Sequence, residues 1–233
     1  MNRRDELAAN LAATRARIAD ACAAAGRAVE DVVLIAVTKT WPADDIRLLA
    51  ELGVRDIGEN RDQEAREKHA SCADLELRWH FVGQLQRNKV KSVASYADVV
   101  HSIDRTALVA ALGRAATGSG RTITGLVQVS LDPTPTTGRG GAGPDDVGPL
   151  ADAIASTAGL VLGGVMAVAP ADGDPAAAFA RLADIAAAVR RSHPQATTVS
   201  AGMTGDLEAA IGNGATHVRV GTALLGRRTL LVG

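Results

Sequence analysis

Eight short apolar runs recur along this chain, and each is followed by a stretch of helical character. They fall at 32–38, 54–57, 78–82, 98–101, 122–129, 161–168, 197–200 and 216–220. Runs of this length, bounded by Gly, Pro or charged residues, read as buried strands. Strict strand–helix alternation implies a parallel sheet with right-handed crossovers. Eight such units in 233 residues favour the α/β class in its closed (β/α)8 form, a TIM barrel. An open doubly wound sheet is the alternative, but no G-x-G-x-x-G follows the first strand.

The helical segments support this count. Leu7, Leu11, Ile18 and Cys22 recur at helical spacing among charges, so residues 1–26 predict an amphipathic helix packed on the barrel, with Gly26 as its stop. Pro42 opens a helix to residue 52, and Gly53 closes it. Further helices are predicted over 61–70, 84–95, 105–116, 145–157, 175–191 and 206–211. Residues 131–144 (LDPTPTTGRGGAGP) form a Gly/Pro/Thr loop. The alternation resumes in phase after it, so it is read as a barrel loop and 1–233 as a single domain.

A net charge of −1 gives no electrostatic case for nucleic acid or an anionic membrane. The charged N-terminus lacks the apolar core of a signal peptide. No stretch reaches the ~20 apolar residues of a membrane span. Cys22 and Cys72 match no metal or redox spacing, and no metal site is expected. They are read as buried or incidental thiols of a reducing compartment, which places the protein in the cytoplasm. Nothing argues for an obligate dimer, and a monomer is expected.

In a barrel, function gathers where strands exit into the following loops. The candidates at those exits, where polar residues recur among apolar strands, are Lys39, Glu59 and Asn60, His80 and Gly83, Ser102 and Asp104, Met166 on the sixth strand, 200–204, and 219–222. Lys39 ends the run VLIAVTK. Taken alone it is either a solvated strand end or a nucleophile. The string SAGMTGD after the seventh strand and RVGTA at the eighth offer glycines, the hydroxyls of Thr204 and Thr222, and helix starts. Each alone reads equally as a cap and a turn. On adjacent strands of one barrel they favour a phosphate. A phosphate site opposite a strand-end lysine suggests pyridoxal 5′-phosphate, whose aldehyde needs a lysine and whose ring nitrogen needs a partner. Arg219 stands where it could be that partner, and this reading is preferred to a salt bridge across the barrel rim.

The strings AVTKT, IGEN, WHFVGQLQRNK, HSIDR, GGVMAV, SAGMTGDLEAAI and VRVGTALLG, in this order over residues 32–226, resemble the signatures of the YggS/PROSC family, the pyridoxal phosphate homeostasis proteins. The resemblance implies the fold of the alanine racemase N-terminal barrel and pyridoxal phosphate as cofactor. It implies that Lys39 carries the cofactor as a Schiff base and that Asn60 lies near it. Thr204, Gly221 and Thr222 would hold the phosphate, Arg219 would face the ring nitrogen, and Ser200 and Met166 would line the pocket. Two departures stand out. A basic triplet common after the fifth strand is Thr136-Thr137-Gly138-Arg139-Gly140 here, with Arg139 a stand-in for its lysine. A second serine of the seventh loop is Thr204, which keeps the hydroxyl.

The implied function is a non-catalytic carrier that buffers pyridoxal phosphate and supplies it to apo-enzymes. A weak amino-acid racemase is the alternative. Racemases of this fold take a second base, a tyrosine, from a further domain. This chain ends at Gly233, and its single tyrosine, Tyr96, precedes the fourth strand, on the wrong face. An arginine at the ring nitrogen stays protonated and is a poor proton donor. A barrel acting on a sugar phosphate through a Lys39 Schiff base would fit the phosphate loops but leaves GEN and HFVG unexplained. His80 is read as a satisfied core histidine. Arg87, Lys89 and Lys91 are read as a solvated helix face, with a second anion or a partner as the other option.

Overall fold

The apolar run after Asp31 becomes the first strand of a closed barrel. A computed structural model of the chain describes residues 2–132 and 140–226. Helix α1 (Arg3–Ala24) buries Leu7, Leu11, Ile18 and Cys22, the four residues whose spacing predicts it. The Asn2 side chain caps it by accepting from the Asp5 N–H. There follow β1 (Val33–Val37), α2 (Ala43–Glu51), β2 (Asp56–Glu59), α3 (Asp62–Ser71), β3 (Arg78–Phe81), α4 (Val90–Ala94), β4 (Val99–Ile103) and α5 (Thr106–Gly118). The second half adds β5 (Ile123–Gln128), α6 (Pro144–Ser156), β6 (Leu160–Met166), α7 (Pro175–Ser192), β7 (Thr198–Ser200), α8 (Leu207–Gly212), β8 (His217–Val220) and α9 (Thr222–Leu225). Strands pair in parallel in chain order, and β8 returns to β1, so the fold is the expected (β/α)8 TIM barrel.

Register decides which residues fill the interior. Ile35 pairs with Arg219 on one side and Asp56 on the other, and Gly58 pairs with His80. His80 pairs with Val99, Gln128 with Met166, and Met166 with Ser200. Laterally paired residues of a parallel sheet point to the same face, and alternate residues of one strand share it. The inner face therefore carries two kinds of group. Val99, Leu126 and Met166 form a small apolar cluster of their own. Asp56, His80, His101, Ser200 and Arg219 are polar. The main apolar core lies outside the barrel wall, where Ala36, Ile57, Trp79 and Val100 meet helix residues such as Leu49, Leu112 and Leu182.

Three boundaries differ from the sequence reading. Strand β2 starts at Asp56 and runs through Glu59, so Gly58 is a strand residue rather than a turn. A Cβ on Gly58 would lie 2.9 Å from the Ile35 side chain, so the glycine serves close strand packing. The helix expected over 84–95 shrinks to a 3-10 turn, Arg87–Lys89, followed by α4. Leu85, fully buried, plugs the core from the stretch before that turn, which has no regular secondary structure. Strand β4 extends to Ile103, which places Ser102 within the wall, buried and with an unpartnered hydroxyl, and not in the following loop.

Candidate functional site

The strand exits converge on one cavity of about 740 Å3 at the C-terminal mouth of the barrel. That size suits a small ligand. Lys39, Thr40 and Trp41 enter it from β1, Asn60 from β2, and Val82 and Gly83 from β3. Met203, Thr204 and Gly205 come from the loop after β7, and Arg219, Gly221 and Thr222 from β8 and the start of α9. Gly83 is required by this convergence: a Cβ there would sit 2.2 Å from the Asn60 carbonyl oxygen. The β2 and β3 exits can touch only because that side chain is missing.

Six of the eight residues singled out from the sequence line this cavity: Lys39, Asn60, Thr204, Arg219, Gly221 and Thr222. The other two lie beneath it. Ser200 is fully buried, and its hydroxyl accepts from Arg219 Nη1 at 2.7 Å. Met166 is buried among Val99, Leu126 and Val168. Both back the pocket rather than line it, because the alternation that turns them inward sets them one layer below the rim.

Each lining group has a distinct state. Lys39 is exposed to the cavity. Arg219 is buried, and Nη2 also donates to the Ala167 carbonyl at 2.9 Å. Burial lowers its pKa to about 10, so it remains a cation at neutral pH. The Asn60 amide oxygen is buried without a partner, an acceptor left open beside the cavity. The Thr204 hydroxyl accepts from the Ala223 N–H at 3.4 Å, tying the β7 loop to α9. The first N–H groups of a helix lack intrahelical acceptors, so this corner is rich in donors.

Helix α1 braces that corner, a role its sequence does not signal. Arg17 Nη2 donates to the Thr204 carbonyl at 2.9 Å while its guanidinium pairs with Glu208 at 2.7 Å. Asn10 donates to the Leu224 carbonyl and Arg3 to the Leu225 carbonyl, each at 3.0 Å. Arg3 also stacks 4.4 Å over the Trp41 ring, at the exit of the neighbouring β1.

A second feature escaped the sequence reading. Lys68, on α3, is buried behind Lys39. Its ammonium donates to Glu59 Oε1 and Glu64 Oε1 at 2.6 Å each and to the Thr38 carbonyl at 2.7 Å. All three N–H bonds are thereby used. The Thr38 hydroxyl adds a donor to Glu59 Oε1 at 2.6 Å. Burial pushes the Glu59 carboxyl up, against the opposing pull of Lys68. The Glu64–Lys68 spacing of four residues is the one signal that could have found this cluster.

Other candidates stand apart. Asp104 pairs with Arg105 at 2.6 Å. Arg87, Lys89 and Lys91 are exposed, with Lys89 3.6 Å from Asp62. Tyr96 is buried before β4, its hydroxyl unpartnered and its ring against His69. Residues 136–139, Arg139 included, lie outside the described residues. His80 is satisfied as expected, by Asp56 and His101 at 2.9 Å each. Among the described residues, no group of three or more His, Cys, Asp or Glu is arranged to hold a metal, and no helix is long and apolar enough to cross a membrane.

Fold and site together define a (β/α)8 barrel whose mouth joins an exposed lysine, a buried arginine and a donor-rich corner. Residues 6–229 match the model of the alanine racemase N-terminal domain family. A pyridoxal phosphate homeostasis protein of Mycobacterium bovis is 42% identical, over 98% of this chain and 95% of its own length. One from Pseudomonas aeruginosa is 40% identical, over 95% and 96%. The solved structure of PipY from Synechococcus elongatus with PLP bound is 34% identical and has a TM-score of 0.82, covering 94% of this chain and 100% of that one. An alanine racemase of Clostridium difficile, 13% identical over 96% of this chain and 57% of its own, shares the fold with a TM-score of 0.74. The chain belongs to the alanine racemase N-terminal domain family, within its pyridoxal phosphate homeostasis proteins.

Proposed function

We propose that this protein is a single-domain, monomeric, cytoplasmic carrier of pyridoxal 5′-phosphate that holds the cofactor as a Schiff base on Lys39 and supplies it to apo-enzymes. The observation that carries the reading is the sharing of one cavity by Lys39, Arg219, Thr204, Gly221 and Thr222. These residue types match the parts of the cofactor. An exposed amine suits the aldehyde, hydroxyls and free backbone N–H groups suit a phosphate, and a guanidinium suits the ring nitrogen. The open Asn60 oxygen can take a donor beside them. Lys68 is excluded from the lysine's part because all its N–H bonds are spoken for.

The carrier reading is favoured over the racemase by two features. Bound cofactor supplies an electron sink only as far as its ring nitrogen is protonated. Arg219 remains a cation at neutral pH and holds its own protons, so it does not supply that one. The single tyrosine is buried at the N-terminal side of β4, away from the mouth. The test is peptide mapping by mass spectrometry after borohydride reduction in the presence of pyridoxal phosphate. The phosphopyridoxyl group is expected on Lys39. A label confined to Lys68, Lys89 or Lys91 would refute the assignment.

A further inference from the structure

Five polar side chains on five strands link the pocket to the opposite end of the barrel. Arg219 Nη1 lies 2.7 Å from Ser200 Oγ, and Ser200 Oγ lies 3.0 Å from His101 Nδ1. His101 Nε2 lies 2.9 Å from His80 Nδ1, and His80 Nε2 lies 2.9 Å from Asp56 Oδ1. Asp56 opens β2 and borders the cleft between Arg55, Arg78 and Asp98 at the N-terminal rim. Four members of the chain are buried, and only Asp56 reaches solvent, its side chain 18% exposed.

The chemistry of the two ends sets one direction. A guanidinium only donates, so Ser200 accepts from Arg219. The buried Ser200 hydroxyl hydrogen then has His101 Nδ1 as its partner. With Nδ1 accepting, the His101 proton sits on Nε2 and is donated to His80 Nδ1. His80 in turn carries its proton on Nε2 and donates it to Asp56. An ionised carboxylate only accepts, so the far end demands the same order. Hydrogen bonds aligned in one sense polarise each other.

We propose that this one-way relay sets the aim of Arg219 from the far end of the barrel, so that Asp56, His80 and His101 are positioning residues for a ring-nitrogen ligand of the pocket. The inference rests on the reading of Arg219 as the ring-nitrogen partner. Without the Asp56 acceptor the chain can reverse. His80 would carry its proton on Nδ1, His101 on Nδ1, and His101 would donate to Ser200. Ser200 would then accept from His101 as well and have less to offer Arg219, so the guanidinium would keep its bond to the Ala167 carbonyl but lose the one that sets the aim of Nη1. The surroundings of His101 suit a neutral ring. Burial, His80 and Arg219 hold His101 well below the ordinary histidine range. Burial tends to raise the Asp56 carboxyl, but His80 and Arg78 outweigh it and hold it low. His217 of β8, its ring 6.4 Å from that of His80, is occupied by the Thr216 hydroxyl at 2.8 Å.

The test combines a ligand-free and a ligand-bound measurement. Nitrogen NMR of histidine-labelled protein at neutral pH should show His80 and His101 both neutral and protonated on Nε2. A proton on Nδ1, or an imidazolium at either ring, would overturn the relay even if no variant folds. Asp56→Asn keeps an acceptor and should keep both tautomers. Asp56→Leu should reverse them. Binding is then compared for pyridoxal phosphate and its 1-deaza analogue, which has carbon in place of the ring nitrogen. Asp56→Leu should lose about tenfold in preference for pyridoxal phosphate, as expected when one hydrogen bond to a charged group is weakened. Asp56→Asn should not. Equal loss for both ligands, or unchanged preference, defeats the positioning role. A wild type that binds neither ligand defeats the carrier reading instead, and the tautomers still decide the relay.

Discussion

Lys68 Nζ donates to the Thr38 carbonyl, so the buried lysine of α3 holds the residue immediately before the exposed Lys39. The residue after it is held too, since the Thr40 N–H donates to Glu64, which pairs with the same Lys68. Thr40 has φ 68°, a left-handed conformation disfavoured for a β-branched residue. Such a conformation costs on the order of 1–3 kcal/mol and persists where the surroundings impose it. Here the Glu59–Lys68–Glu64 cluster imposes it, and Lys39 emerges between two anchored neighbours.

Removing Lys68 should therefore be severe. Lys68→Met leaves the Glu59 carboxylate buried and unpaired, which typically costs about 3–5 kcal/mol. The double variant Glu59→Gln with Lys68→Met removes both charges and should recover a good part of the loss. Chemical denaturation of the two variants checks this. Equal destabilisation by both would mean that charge pairing is not what the cluster contributes.

The proposed phosphate corner predicts a ligand-selective loss. Thr204→Val and Thr222→Val each delete one hydroxyl donor. A hydrogen bond to a charged group contributes about 1.5–3 kcal/mol, so each change should weaken pyridoxal phosphate binding about tenfold or more. Pyridoxal, which lacks the phosphate, should be little affected. If either variant loses both ligands alike, its threonine does not serve the phosphate.

Neutral histidines, His101 buried and His217 half-buried, predict acid sensitivity. Burial, reinforced by His80, lowers the His217 pKa to about 4 from an ordinary 6.5. Between those values the unfolded chain binds more protons than the folded one, so stability rises with pH there. The contribution is complete above pH 6.5 and fades as the pH falls toward 4. One such group gives a slope of at most about 1.4 kcal/mol per pH unit. His217→Gln should flatten the curve of unfolding free energy against pH in that window. His101 acts in the same direction and should leave a residual slope. A curve unchanged by His217→Gln would show that His217 is not held neutral in the folded protein.

The mouth of the barrel was legible in the sequence because polar residues at strand ends contrast with the apolar runs before them. Lys39, Arg219, Gly221 and Thr222 stand out in this way, and all line the cavity. Lys68 did not, because it sits in a helix of charged residues where burial leaves no compositional trace. The relay was hidden for another reason. Asp56, His80, His101, Ser200 and Arg219 are dispersed over five strands, and only the register of the closed barrel turns them inward together. His80 alone could be read as a satisfied core histidine. Its partners could not be named.

The proposed carrier function makes the most direct claim about the whole molecule. Lys39 projects from a rigid turn into an open cavity, so a cofactor held there stays accessible to an acceptor. Arg219 remains cationic and buried, which disfavours proton transfer to the ring. Protein loaded with pyridoxal phosphate should therefore show no racemization, transamination or decarboxylation of common amino acids beyond that of the free cofactor. The same preparation should restore activity to an apo-enzyme that needs pyridoxal phosphate. Lys39→Ala should remain folded, lose the visible absorbance of the bound cofactor, and fail to restore the apo-enzyme. A robust amino-acid turnover that vanishes with Lys39→Ala would replace the carrier by a racemase-like enzyme. The transfer assay discriminates more sharply than the turnover screen, because it demands a positive result of the carrier and not only silence.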